Sequence, residues 1–169
     1  AFKGYLNVYN HKFRDDEAKK MLNFCYTQIP YQYFDIGVNY YLNDQLNEAL
    51  INFEKAELIA SPELILEIES YKRDIAIKII NEIDQNLYKV SFNESIKKLN
   101  ITRKISPYLW SETDKVEAKI LLKKGDILKS KKNYLYAIDY YKQAIELSPE
   151  LITKINDKFN KLIILIMND

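Results

Sequence analysis

Two stretches of the chain carry the same pattern of residues: ALINFEKAELIASPE at residues 49–63 and AIDYYKQAIELSPE at residues 137–150. Each begins with an alanine and an aliphatic residue, has an aromatic residue four positions after that alanine, and has a second alanine three positions after the aromatic. Intervals of three and four residues define one face of an α-helix. The pattern therefore predicts two similar helices, 88 residues apart, whose small residues face a neighbouring helix.

Both stretches end in Ser-Pro-Glu, a combination that suits the start of a helix. Serine can cap the first turn, and proline is tolerated at the first helical position because the N–H that it lacks would be unpaired there. An early glutamate is stabilised by the helix dipole. Ser106-Pro107 repeats two of these three features. We expect a helix to begin after Ser61 and another after Ser148.

Apolar residues recur at intervals of three and four between these starts, and no stretch alternates strictly as a β-strand would. The longest such face runs from Leu64 to Leu87. Short polar links divide the rest, including Asn43–Gln45 and Lys131–Asn133. The sequence thus predicts an all-α fold of about nine helices, at residues 2–10, 14–28, 31–42, 46–60, 62–89, 93–105, 112–131, 134–147 and 149–167.

The shared pattern extends backwards to a glycine twelve residues before the first alanine, with a large residue three positions further on. A mid-helix glycine costs about 1 kcal/mol relative to alanine, which close helix packing can offset. The whole pattern resembles the tetratricopeptide repeat (TPR), a helix–turn–helix unit of about 34 residues. The matching residues are Gly37, Tyr40, Ala49, Phe53 and Ala56 in one unit and Gly125, Leu128, Ala137, Tyr141, Ala144 and Pro149 in the other.

Two further units match the repeat less closely. Their matching residues are Ala18, Leu22, Cys25 and Pro30 in one and Ser95, Leu99, Thr102 and Pro107 in the other. The resemblance implies one domain over residues 1–169, an α–α superhelix with units at about 1–30, 31–61, 76–107 and 118–149 and a capping helix at 149–167.

Composition and charge exclude several classes of partner. The 25 Lys and Arg balance 24 Asp and Glu, which gives no general attraction to nucleic acid or anionic membranes. Two basic runs, 97–104 and 129–132, lack the interleaved aromatic residues that stack on bases. No apolar run approaches the roughly 20 residues of a membrane span. We therefore expect no nucleic-acid partner and no membrane span, whereas the compartment stays undetermined.

Residues that could carry catalysis are scarce. His11 is the only histidine and lies in a predicted turn, so no histidine-based metal cluster can form. Cys25 is the only cysteine and occupies a small-residue repeat position, which predicts a buried, inert thiol. Three glycines cannot build a phosphate-binding loop. We predict a protein that is not an enzyme and that uses no cofactor or metal.

Proteins with TPR arrays act mainly as scaffolds that bind peptides or partner domains in a concave groove lined by the first helix of each repeat. The resemblance places these residues toward that groove: Lys3, Asn7, Tyr31, Phe34, Val38, Tyr41, Ile80, Asp84, Leu87, Lys119, Leu122 and Asp126. Some TPR proteins clamp a C-terminal carboxylate with lysines, asparagines and an arginine. Here Asp35, Ile77 and Asn81 stand at clamp positions, and we reject that interpretation.

The sequence therefore predicts a non-enzymatic protein–protein interaction scaffold or adaptor. Two alternatives remain open: an interaction module of a larger enzyme or of a secretion or envelope component, and a homo-oligomer formed through the apolar C-terminal helix. Residues 35–70 carry eight acids and one base beside Tyr31, Phe34 and Tyr41, which suggests a basic partner segment held by aromatic anchors. The competing interpretation buries all three rings between helices.

Overall fold

The computed structural model describes residues 16–87 and 89–168, and all regular structure in these residues is helical. The all-α prediction is confirmed there. The seven α-helices are α1 (Asp16–Leu42), α2 (Leu46–Glu57), α3 (Pro62–Gln85), α4 (Phe92–Ile105), α5 (Trp110–Ser130), α6 (Tyr134–Leu147) and α7 (Ile152–Asn168). Two short 3-10 helices, Pro107–Leu109 and Pro149–Leu151, come directly before α5 and α7. The chain forms two compact units that divide between Ile75 and Ala76.

The predicted break at Pro30 is wrong, because α1 continues through this residue as one helix of 27 residues. The predicted helices at 14–28 and 31–42 are therefore a single element in the described residues, whereas the predicted helix at 2–10 lies outside them. An interior proline removes one backbone hydrogen bond and costs about 3 kcal/mol or more. Pro30 is fully buried and belongs to one continuous stripe of buried residues along α1, so packing of the ring offsets that cost.

The Ser-Pro pairs at 61–62 and 148–149 begin helical structure as predicted, and the pair at 106–107 does so as well, ahead of the predicted start at 112. The Ser61 hydroxyl accepts a hydrogen bond from the Leu64 backbone N–H at 3.4 Å, and α3 begins at Pro62. Hydrogen bonds from its own backbone N–H and then from Ser61 lower the pKa of Glu63, as expected for a carboxylate at a helix start. Pro107 and Pro149 instead open a 3-10 turn before the α-helix follows.

The core of the first unit is an aromatic cluster beneath a helix hairpin. The fully buried ring of Phe53 on α2 stacks on Tyr71 of α3, with centroids 5.3 Å apart, and lies 5.9 Å from Phe34 of α1. Gly37 on α1 faces the same ring: a Cβ atom there would lie 2.7 Å from two carbon atoms of Phe53. The glycine therefore lets α1 and α2 approach closely.

The core of the second unit joins α5, α6 and α7. Its buried members include the repeat alanines of α6 together with apolar residues of α5 and α7: Ala118, Leu121, Leu122, Ala137, Tyr141, Ala144, Ile155 and Leu162. A second cluster connects the C-terminal half of α3 to α4 and α5 through Ala76, Ile80, Ile83, Leu99, Leu109, Val116 and Ile120. This packing fixes α3, α5 and α7 of the second unit relative to one another.

Candidate functional site

A polar centre lies on α5 of the second unit, one residue after the glycine that faces Tyr141. The hydroxyl of Tyr141 donates a hydrogen bond of 2.6 Å to an oxygen of Asp126. Both carboxylate oxygens of Asp126 also accept hydrogen bonds from the Lys158 ammonium group, at 2.6 and 2.7 Å. Burial of the ring, followed by its hydrogen bond to the negative Asp126, raises the pKa of Tyr141. The phenol therefore stays protonated and serves as a fixed donor.

Lys158 also holds α7 against the same ring. Its ammonium group lies 5.9 Å from the centroid of the Tyr141 ring, and Phe159 meets that ring edge-on at 5.9 Å. Since Tyr141 belongs to α6 and Asp126 to α5, three helices converge on this centre. Asp126 is thereby tied to both neighbouring helices and has a fixed position.

A second ion pair connects α5 to the end of α3. The Lys119 ammonium group lies 2.8 Å from each carboxylate oxygen of Asp84. Both side chains keep more than a third of their surface exposed, so the pair stabilises the fold by less than about 1 kcal/mol. The pair matters here because it positions the Lys119 side chain at the edge of the space between the end of α3, α5 and α7.

That space is an open cavity of about 380 Å³ in the second unit. Its lining contains more lysines than any other residue type and consists of Leu87, Lys119, Leu122, Lys123, Asp126, Leu151, Lys154 and Lys158. Lys123 donates a hydrogen bond to the backbone carbonyl of Leu87, and Lys158 is paired with Asp126. Lys154 is exposed and pairs with no acidic side chain among the described residues.

An adjoining cavity of about 230 Å³ shares Leu87 and Lys123 with the first. It is mainly apolar and is lined by Leu87, Val90, Ser91, Phe92, Ser95, Ile120, Lys123, Lys124 and Ile127. The ammonium group of Lys124 lies 5.2 Å from the centroid of the Phe92 ring at its rim. A lysine-rich space and an apolar space are therefore side by side on one face of the second unit.

The structure brings together five of the residues that the resemblance assigned to a groove. The cavity is lined by Leu87, Lys119, Leu122 and Asp126, and Asp84 is paired with Lys119. Ile80 and Leu122 are each 7% exposed and belong to the core, and Leu122 contributes to the cavity wall as well. Lys3 and Asn7 lie outside the described residues.

The candidates of the first unit are divided among core and surface. Phe34 is buried and meets Tyr71 edge-on at 5.6 Å, so its assignment as an exposed groove anchor is corrected: it is a core residue. Tyr41 is half-buried, with its ring 5.2 Å from that of Tyr71, and Val38 is half-buried as well. Tyr31 is 47% exposed. The three rings thus do not form one exposed aromatic surface.

The residues that sequence reasoning missed are the lysines of α7 and Lys123. Lys154 and Lys158 are four residues apart on α7, and the buried Ile155 and Leu162 lie on the helix face that packs into the core. This arrangement was readable as an amphipathic helix with lysines at one edge. The sequence could not show which residues these lysines contact, because Asp126 is 32 residues away from Lys158 in the chain.

Within the residues that the structure describes, no group of three or more His, Cys, Asp and Glu side chains is arranged to hold a metal ion. Cys25 is buried, as predicted. No helix in the described part of the chain combines the length and apolar character needed to cross a membrane. No protein-family model matches the sequence, and no curated protein or solved structure is detectably similar to it.

Proposed function

We propose that this chain is a TPR-like helical repeat protein that binds a segment of a partner protein without catalysing a reaction. The proposed binding surface is the face of the second unit where α3, α5 and α7 surround the lysine-rich cavity. The observation that carries the proposal is that Lys119 and Asp126, assigned to a groove by the repeat pattern, line this open cavity together, with Asp84 paired to Lys119.

The two close repeat matches support the TPR-like part of the proposal through their geometry. In each unit the repeat glycine faces the repeat aromatic residue of the next helix, and both aromatic side chains are fully buried. The repeat alanines of α2 and α6 are likewise fully buried: Ala49, Ala56, Ala137 and Ala144. Small residues at these positions let paired helices approach closely, which is their role in stacked helix hairpins.

A capture experiment with a matched variant tests the binding proposal. The wild-type chain and the Lys119→Glu/Lys154→Glu variant are immobilised and exposed to the same extract, and the retained proteins are identified by mass spectrometry. We expect a partner that the wild type retains and the variant loses, while circular dichroism shows that the variant keeps its helical fold. The Lys142→Glu/Lys161→Glu variant, which alters exposed lysines outside both cavities, should retain that partner. Identical capture by all three proteins would contradict the proposal.

A second candidate function is self-association through α7, and the exposure of its apolar residues favours it. Ile152, Ile163, Ile164, Leu165, Ile166 and Met167 are each between 38% and 80% exposed. Light scattering over a range of protein concentrations tests this candidate. Self-association predicts a mass above that of the 20.1 kDa chain. The Ile163→Glu/Met167→Glu variant should reduce this mass. The control Leu135→Glu, at an exposed apolar position on α6, should leave it unchanged. A concentration-independent monomer would exclude it.

A further inference from the structure

The two adjoining cavities of the second unit differ in chemistry across a shared wall. Leu87 and Lys123 line both, and Lys123 is fixed between them by its hydrogen bond to the Leu87 carbonyl. The first cavity is lined by four lysines, three leucines and Asp126. The second is lined by four aliphatic residues and Phe92, together with two serines and two lysines. A ligand that occupies both spaces must therefore combine a group that suits lysines with an apolar group close to it.

The lysine-rich cavity favours an anionic group. Four lysines line it, together with a single acid, Asp126, which is already engaged by Lys158 and Tyr141. Asp84 neutralises Lys119 from one side. Lys154 is exposed and gives the cavity a positive charge that no acidic side chain of the lining offsets. The surrounding field has the same sign, since residues 76–169 carry seventeen Lys and Arg against twelve acids.

The second cavity favours a large apolar side chain. The apolar residues that line it are Leu87, Val90, Phe92, Ile120 and Ile127. Ile127 is 40% exposed, so a ligand that covers it removes apolar surface from water. This burial adds to the affinity without adding charge.

We propose that the paired cavities bind a segment of a partner protein in which an aspartate or glutamate stands beside a leucine, isoleucine or phenylalanine. This inference rests on the proposed function and specifies the chemistry of the segment. The acidic side chain lies among Lys119, Lys123 and Lys154, and the apolar side chain enters the cavity beside Ile127. Charge complementarity sets the rate and specificity of the encounter, and the buried apolar side chain supplies much of its energy.

The experiment selects binding peptides from a random linear peptide library displayed against the intact chain, and then measures the affinity of the selected synthetic peptides. Two variants probe the two cavities, each with a matched control. Lys154→Glu is compared with Lys161→Glu, since both are exposed lysines of α7 and Lys161 lies outside the paired cavities. Ile127→Ser is compared with Ile101→Ser, since these residues are 40% and 43% exposed and Ile101 lies outside the paired cavities.

We expect the selected peptides to be enriched in an acidic residue adjacent to, or within one helical turn of, a large apolar residue. Lys154→Glu should weaken their binding by about tenfold or more and make it less sensitive to salt. Ile127→Ser should weaken it by about fivefold, because part of the apolar contact is lost. The two control variants should bind as the wild type does.

Other outcomes overturn the inference in distinguishable ways. Peptides without acidic enrichment, or binding that neither cavity variant weakens, would overturn it and leave the proposed function standing if the capture experiment succeeds. Failure to select any peptide, together with identical capture by all variants, would overturn both. Dodecanoate presents an anionic group beside an apolar chain without a peptide. Its binding at the same residues, in the absence of peptide binding, would replace the partner segment with a fatty acid.

Discussion

The hairpins α1–α2 and α5–α6 have the same backbone structure but carry different side chains at equivalent positions. In both, five backbone hydrogen bonds close the turn between the helices, and the two sets correspond at an offset of 88 residues. The first bond of each set joins the N–H of Asn43 to the carbonyl of Asn39, and the N–H of Lys131 to the carbonyl of Ile127. The last joins the N–H of Ala49 to the carbonyl of Gln45, and the N–H of Ala137 to the carbonyl of Asn133. Asp44 and Lys132 have positive φ angles of 58° and 62° at the same place in the turn. The turn is a Schellman-type helix end without its usual glycine.

The side chains around the two repeat aromatics differ in polarity. In the first unit Val38 follows the repeat glycine, and Phe53 stacks on Tyr71. At the equivalent place in the second unit Asp126 follows the glycine and binds Tyr141 and Lys158. Small residues and turn geometry therefore determine the hairpin, whereas the residue after the glycine decides whether its edge is apolar or polar. The second hairpin contributes Lys119, Lys123 and Asp126 to the lysine-rich cavity.

The largest predicted effect comes from removing the repeat aromatic of either hairpin. Phe53→Ala and Tyr141→Ala should each lower the free energy of unfolding by about 3–5 kcal/mol, because each leaves a cavity at a fully buried site. Chemical denaturation monitored by circular dichroism measures the loss. A change smaller than about 1 kcal/mol in only one of them would break the equivalence of the two hairpins.

Exchanging the polarity of the two hairpins should have the next largest effect. Phe53→Tyr buries a hydroxyl without the carboxylate acceptor that Asp126 provides in the second unit, and should lower the free energy of unfolding by about 1–3 kcal/mol. Adding Val38→Asp supplies the acceptor that Asp126 provides in the second unit, so the double variant should be more stable than the sum of the two single changes predicts. A double-mutant cycle measures this coupling. Strict additivity would show that Val38 does not occupy the position equivalent to Asp126.

Replacing each repeat glycine with alanine should have a smaller effect, and the loss of stability should differ between the two hairpins. The three atoms nearest to a new Cβ at Gly37 all belong to the Phe53 ring, the closest at 2.7 Å, whereas at Gly125 the Cβ meets the Tyr141 ring more closely still and also the Ala137 backbone carbonyl at 3.2 Å. Gly37→Ala and Gly125→Ala should each destabilise the chain by about 1–2 kcal/mol, with the larger loss at Gly125 because a backbone carbonyl cannot rotate away. Denaturation midpoints measure the order, and the reverse order would contradict this account.

The smallest predicted effect is an alkaline sensitivity of the second hairpin alone. The fold raises the pKa of Tyr141, so its protonated phenol contributes to stability. This contribution is fully present below about pH 10, the pKa of an exposed tyrosine. It is lost as the pH rises from there toward the higher pKa of the folded state. Between pH 9 and 10.5 the wild type should lose about 1 kcal/mol more than Tyr141→Phe. Tyr136→Phe, which alters a 67% exposed ring, should follow the wild type. If the free energy of unfolding falls with pH at the same rate in all three proteins, Tyr141 is not the source of the alkaline sensitivity.

Most of the helices in the described residues, the two hairpin turns and most of the buried repeat positions could be predicted from the amino-acid sequence alone. The links at Asn43–Gln45 and Lys131–Asn133 lie where the sequence predicted them, and the repeat alanines and Phe53 and Tyr141 are fully buried. These features depend on spacings of a few residues, which a helix converts directly into faces. The intervals of the apolar residues were therefore sufficient to predict them.

The continuation of α1 through Pro30 and the set of side chains around the cavity depend on tertiary packing, which the local pattern does not contain. A proline weakens a helix locally, but burial of its ring against the rest of the unit determines whether the helix ends there. The pairs Asp84–Lys119 and Asp126–Lys158 join residues 35 and 32 positions apart, so they depend on how α3, α5 and α7 are aligned. Likewise, packing rather than pattern assigned Phe34 to the core. Local spacing fixes the face on which a side chain lies, and the contact between helices decides whether a core, an ion pair or an open cavity meets that face.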